Sequence, residues 1–508
     1  MNKKTVAPFY FLIPVLILVT TTISCDQQQP AKKNHFTLQA PVAPDIKTSY
    51  GWLNTKKNYG IHDFHDKVVL LDFWTLGCIN CQHIIPDLKK LQQDFSKQLV
   101  VIGVHSAKFK SEKETKRIQA AIEKLGIDHP VVNDADFAVW SAYGVEAWPT
   151  LVLISPDGKI AAKIEGENVY ASLRAQIEKL IGEYGDSINT KPFVFGEYIH
   201  DTSSSLLKFP SKIITDQKRL WVSDYGNNRI ISLDENGRIL QMIGSGKPGF
   251  TDGNFTTASF NGPQGLAIRD NLLFIADSKN NAIRVADLQS NQVKTIAGNG
   301  QMGYYFNDEQ RNSPVLPNSP WDLLADSNDL YIADAGNHQI LRMNLIDRKV
   351  YRLAGTGYEG IQDGDLRRTT FSQPSGLAGK GNILYSADPE ASAIRKIDLK
   401  TGTITTLIGK GLFNFGDRDG YAKDAQLQHC TGIFDFAGNI YIADTYNGKI
   451  KVLNTKTKRV FTLIGGLNEP NGLTVLNNNL WVTDTNNNQL IKFNLKSKKK
   501  EVVTVHLN

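Results

Sequence analysis

The chain has 508 residues, of which 41% are hydrophobic, 9% aromatic and 21% charged. That length exceeds one average core, and the balance excludes wholesale disorder, a collagen-like fibre and a multi-span membrane protein. A net charge of +6 is too dilute to argue for nucleic acid as a partner, and four cysteines cannot staple a disulfide-dense scaffold.

Lys3 and Lys4 precede an apolar run over 6–19, interrupted by Pro8 and Pro14. The run is shorter than the ~20 residues a spanning helix takes and reads as the core of a signal peptide. Thr22-Ile23-Ser24-Cys25 ends it and resembles the lipobox of bacterial lipoproteins, with Thr22 where leucine is usual. The resemblance implies a signal over 1–24, lipidation of Cys25 and a polar tether over 25–46. It therefore implies a chain held on a membrane through a lipid anchor. Its folded part would lie in the cell envelope outside the cytoplasm, facing periplasm or surface, where disulfides are allowed.

Over 47–186, apolar runs of strand length alternate with helical spacing. Strands are expected at 68–73, 100–104 and 151–154, and helices over 82–95, 113–125 and 169–180, which implies βαβ units and a mixed sheet. Over 192–508 the helical period vanishes and a repeat replaces it. Asp224, Asp277, Asp334, Asp388, Asp444 and Asp484 each end a short hydrophobic strand, from WVSD to WVTD. Fourteen residues before each stands Pro210, Pro263, Pro320, Pro374, Cys430 or Pro470, and six after each stands an isoleucine or leucine. Copies of one β unit cannot bury their faces alone and must stack, which a closed ring achieves. The pattern P-x-G-[LI]…[YWF]-[IV]-[ATS]-D…N-x-x-I resembles NHL repeats, which implies a six-bladed β-propeller. Such a ring offers a surface for a protein or ligand partner. A closing strand is expected from 193–200 or from 501–506. The repeat aspartates read as strand ends that satisfy turn amides. Three inter-blade segments share G-x-x-D-G, and their acids, such as Asp363 and Asp419, do not complete a calcium loop.

Cys78-Ile-Asn-Cys81 follows the first buried strand and opens a helix. A helix N-terminus stabilises a thiolate at Cys78. Cys81, one turn on, is close enough to form a disulfide with it. Cys78 would attack and Cys81 resolve the mixed disulfide. The segment Asp72-Phe-Trp-Thr-Leu-Gly-Cys78, Pro86 and the triplet Trp148-Pro149-Thr150 resemble the thioredoxin superfamily. The stretch from Trp52 to His83 resembles its TlpA-like type, including domains fused to NHL propellers. The resemblance implies a thioredoxin-like fold followed by the propeller. It makes buried Asp72 a proton acceptor for Cys81 and Pro149 a cis-proline facing the disulfide. Trp74, Asn80, Trp148 and Thr150 become neighbours of that site, with Asn80 where thioredoxin itself has proline. His83 reads as a helix-surface residue and Cys430 as an inert buried thiol.

The activity so implied is thiol–disulfide exchange with protein thiols and disulfides. Other readings stay open: a scaffold with a structural or vestigial disulfide, and a Cys₂His₂ zinc site with His62 and His65. A peroxidase-like use of Thr75-x-x-Cys78 has Leu71 where the peroxidase signature has proline. Lyase chemistry in the ring has no matching histidine set. No Walker loop, HExxH or G-x-S-x-G occurs, so no cofactor or metal is expected.

Overall fold

Val68–Trp74 is buried at all seven positions, as a central strand covered on both faces must be. In this computed structural model, which describes residues 40–195, 205–304 and 315–507, that strand is β2 of the first domain. Around it run β1 (Trp52–Leu53), α1 (Ile79–Asp94), β3 (Leu99–His105), α2 (Thr115–Leu125), β4 (Val131–Asn133), α3 (Ala138–Ala142), β5 (Thr150–Ile154), β6 (Ile160–Glu165) and α4 (Tyr170–Tyr184). The sheet order is β1-β4-β3-β2-β5-β6. β2 and β4 lie parallel to β3, whereas β5 lies antiparallel to β2. One face buries Leu71, Phe73 and Ile102 with Tyr59, Phe64 and Tyr143. The other buries Val68, Leu70 and Leu153 against Leu88 of α1 and Ile177 of α4. The expected strands and helices all occur. β1, β4, β6 and α3 go beyond the expected elements: two, three and five residues in β1, β4 and α3 carry no readable period, and the six of β6 bury no residue fully.

The second domain is a ring of six blades over 210–243, 253–297, 320–354, 364–408, 420–464 and 470–503. Each repeat aspartate ties its own blade together. Asp334 Oδ1, for example, accepts from the Asn318 N–H at 2.7 Å and Oδ2 from Asn337 Nδ2 at 2.7 Å. The inner strands crowd the axis, and Gly472 shows why a glycine follows the repeat proline. A Cβ there would lie 2.5 Å from both the Ser211 carbonyl and the Ile213 nitrogen of the first blade.

The ring closes without a borrowed strand. Lys500–Val503 is the fourth strand of the last blade itself, antiparallel to Gln489–Asn494, so the expectation of a closing strand from 501–506 holds only in part. His506 then lies beside the first blade, donating its N–H to the Gly237 carbonyl and accepting from the Ile239 N–H, both at 3.0 Å. Phe193 and Phe195 pack instead on Tyr59 and Phe64 of the first domain. Residues 1–39, which hold the signal segment and Cys25, lie outside the described residues, as do 196–204.

Blades two, four and five have five strands, the extra ones being Gly253–Asn254, Gly364–Asp365 and Gly420–Tyr421. These begin at the last glycine of each G-x-x-D-G segment. In the same three blades a fully buried cation follows the repeat aspartate. Arg284 lies 2.8 Å from both Asp277 and Asp252. Arg395 lies 3.2 Å from both Asp388 and Asp363, and Lys451 reaches Asp417, Asp419 and Asp444. The acids that resemble fragments of a calcium loop are thus neutralised by the chain's own strands. Among the described residues no group of three potential metal ligands occurs.

Candidate redox centre

β2 delivers the loop Thr75-Leu76-Gly77 to the start of α1, where Cys78 is the N-cap. Its sulfur accepts from the Cys81 N–H at 3.1 Å. Cys78 and Cys81 form a disulfide, with Cα atoms 5.3 Å apart. His62, a ligand in the zinc reading, lies on the short 3₁₀ turn Ile61–Phe64 with its side chain 70% exposed beside Asp45 and Asp63. The Trp148–Pro149 peptide is cis. Thr150, next along, pairs with Phe73 of β2 and bonds the Ala147 carbonyl at 2.7 Å. Trp148 packs in one cluster with Trp74, Cys78 and Cys81.

Asp72 lies on β2 between Gly103 of β3 and Leu151 of β5. It is buried, Oδ1 has no partner, and burial pushes its carboxyl up to about 7. A group poised there can hold or release a proton near neutrality. Trp74 meets the buried His105 ring edge-on at 4.9 Å. Both His105 nitrogens lack partners, and burial lowers its pKa to about 3, so the ring is neutral. Asn80 is half-buried at the helix start.

Residues that sequence reasoning missed surround this motif. Glu112, fully buried in the segment after β3, accepts from Thr75 Oγ1 at 2.5 Å, the Gly77 N–H at 3.1 Å and the Phe109 N–H at 3.2 Å. Burial raises its carboxyl. It fixes the loop that carries Cys78, and occupies the Thr75 hydroxyl that the peroxidase reading would use.

The propeller supplies the rest. Pro41–Asn508 hold together as one unit, with the redox loop against the ring. Gln373 Oε1 accepts from the Ile79 N–H at 3.1 Å. Lys108 pairs with Glu390, their side chains 6% and 3% exposed. Burial opposes the Glu390 charge, but Lys108 and His429 outweigh it and hold the carboxyl down at about 2. Phe109 inserts among Phe415, His429 and Tyr446. His83 is not the surface residue expected. Its ring bonds Glu167 at 2.9 Å and Ser319 of the propeller at 2.7 Å, with the side chain 8% exposed. The cover leaves Cys78 only 7% and Cys81 2% exposed.

A thioredoxin-like sheet whose disulfide opens α1, docked on a six-bladed NHL-type ring, defines a two-domain protein of the thioredoxin-like class. A thioredoxin-like family profile matches residues 66–160 and an NHL-repeat profile 467–493. The chain is 36% identical to NHL repeat-containing protein 2 of Bos taurus, over 91% of this chain and 72% of that one. It is 39% identical to Protein SUPPRESSOR OF QUENCHING 1, chloroplastic, of Arabidopsis thaliana, over 92% of this chain. Of that longer relative it spans 48%, about half. The thiol-disulfide oxidoreductase ResA of Geobacillus thermodenitrificans is 28% identical over 24% of this chain and 69% of its own. The chain belongs to the family of NHL repeat-containing protein 2.

Proposed function

We propose that the chain is a thiol–disulfide oxidoreductase of the cell envelope, anchored to a membrane through lipidated Cys25 and acting on protein thiols and disulfides. The observation that carries the chemistry is the Cys78–Cys81 disulfide at the N-terminus of α1, one strand-end away from buried Asp72. In the reduced state the helix terminus favours the Cys78 thiolate, which attacks. Cys81 loses its proton to Asp72 and resolves the mixed disulfide. The anchoring rests on the lipobox-like segment ending at Cys25. No helix among the described residues is long and apolar enough to cross a membrane. The propeller covers the redox loop and offers the partner-binding surface.

Trapping tests the chemistry. Cys81→Ser, expressed in its native envelope, is expected to accumulate Cys78-linked mixed disulfides on non-reducing gels. No adducts, together with a purified pair that neither oxidises nor reduces a dithiol, would favour the scaffold reading. Radiolabelled fatty acid should enter the wild type but not Cys25→Ala.

A further inference from the structure

The cover over Cys78 has a definite construction. Gln373 caps the helix that carries the disulfide. A Cβ on Gly77 would lie 2.6 Å from the His429 ring. Lys108 and Glu390 form the buried charge pair of this interface, and Arg117 and Glu469 stand 3.7 Å apart at its edge. Beside the motif remains a cavity of about 60 Å³, walled by Gly77 and Gln82 on one side and by Glu469 and Asn471 on the other. It has room for a few waters or a small group, and far too little for a folded protein.

We propose that the propeller sets the size limit of this disulfide: docked, it exchanges with small thiols and disulfides only, and a protein reaches Cys78 after the interface parts at Lys108–Glu390. The proposal rests on the exchange reading above and adds what selects the substrate. The chemistry balances identically in both states. The Cys78 thiolate attacks one sulfur of an incoming disulfide, forming a Cys78–substrate bond and releasing one substrate thiolate. The Cys81 thiolate then attacks Cys78, forming the internal disulfide and releasing the second thiolate. The substrate gains two electrons and two protons, and the cysteine pair gives up as many. Parting the interface exposes a buried ion pair to water as a unit, whereas removing one member leaves an uncompensated charge. Paired changes therefore make the fair test.

The reduced full-length protein is treated with iodoacetamide and, separately, with a maleimide carrying a long polyethylene glycol, each normalised to the urea-unfolded chain. Native Cys78 is expected to be protected from the large reagent by about tenfold more than from the small one. The neutral double variant K108M/E390Q is expected to narrow that gap, and the swapped pair K108E/E390K to restore it. Equal protection against both reagents in the wild type overturns the size limit, with no variant required. A gap unmoved in a folded double variant overturns the latch. If native Cys78 reacts with neither reagent while the unfolded chain reacts with both, the docked state is closed to small thiols too and the size limit fails, whereas the exchange reading stands or falls on the Cys81→Ser trapping.

Discussion

The backbone N–H of Ile79, first residue of the redox helix, is bonded at 3.1 Å by the side-chain oxygen of Gln373, 294 residues further along the chain. The bond occupies one of the helix-terminal donors that would otherwise turn toward a Cys78 thiolate. Gln373→Leu leaves that donor unpaired beside the uncharged disulfide but free to serve the thiolate. The variant is expected to lower the Cys78 pKa and make the pair more oxidising by roughly 20 mV, the equivalent of one hydrogen bond of about 1 kcal/mol. Thiolate absorbance against pH and equilibration with a glutathione buffer measure both, and an unshifted potential refutes the role.

Asp72 carries a stability cost that depends on pH. Its folded carboxyl titrates at about 7, raised from 3.8 by burial. Below pH 3.8 both states are protonated and there is no penalty. From there to about 7 the unfolded carboxyl ionises while the folded one does not, so stability falls across that window and levels off above it. Asp72→Asn removes the ionisation. It is expected to stabilise the protein by a few kcal/mol, of order 4, at neutral pH and by nothing below pH 3.8, and to slow resolution by Cys81. Urea melts at several pH values, paired with the pH profile of dithiol oxidation, check the two halves.

Glu112→Ala strips partners from the Thr75 hydroxyl and the Gly77 N–H. Unpaired buried donors cost about 1–3 kcal/mol. Because both belong to the loop that carries Cys78, exchange is expected to slow as well, and Glu112→Gln, which keeps an acceptor, to recover most of both losses. Thermal melts and stopped-flow oxidation would separate stability from rate.

The buried cations of the propeller predict its response to metal removal. Arg284→Met leaves Asp277 and Asp252 without their shared partner and is expected to cost about 3–5 kcal/mol. Chelation by EDTA is expected to leave the melting temperature of the wild type unmoved. A calcium-dependent rise would show that these acids bind an ion.

What could be read from the sequence was local. The Cys78–Cys81 spacing, the approach from Asp72 and the Trp148-Pro149-Thr150 turn are short patterns within one βαβ scaffold, and six agreeing repeats announce a ring. Gln373 and Glu390 were invisible because they reach the first domain across nearly 300 residues, and no period or motif records that contact. Glu112 sits among lysines and reads as part of a solvated stretch, yet folding buries it completely. The pairing of Asp252, Asp363 and Asp419 with strand cations left a usable signal. Arg284, Arg395 and Lys451 each stand seven residues after the repeat aspartate, in the blades that carry G-x-x-D-G and in no others.

The order of the chain gives the covered disulfide a history. The propeller groups that pack on the redox domain, from Gln373 at Ile79 and Glu390 at Lys108 to Gln428 at Ser111 and Glu469 at Arg117, are all made after the first domain. The ring shuts only when Gly472 backs onto Ser211 and His506 settles beside Arg238. Synthesis runs from the N-terminus and domains fold as units. For part of its making, the thioredoxin-like domain therefore stands without its propeller cover, and its cysteine pair is more open than in the finished fold. In that interval a partner too large for the docked interface can meet the pair without the interface having to part.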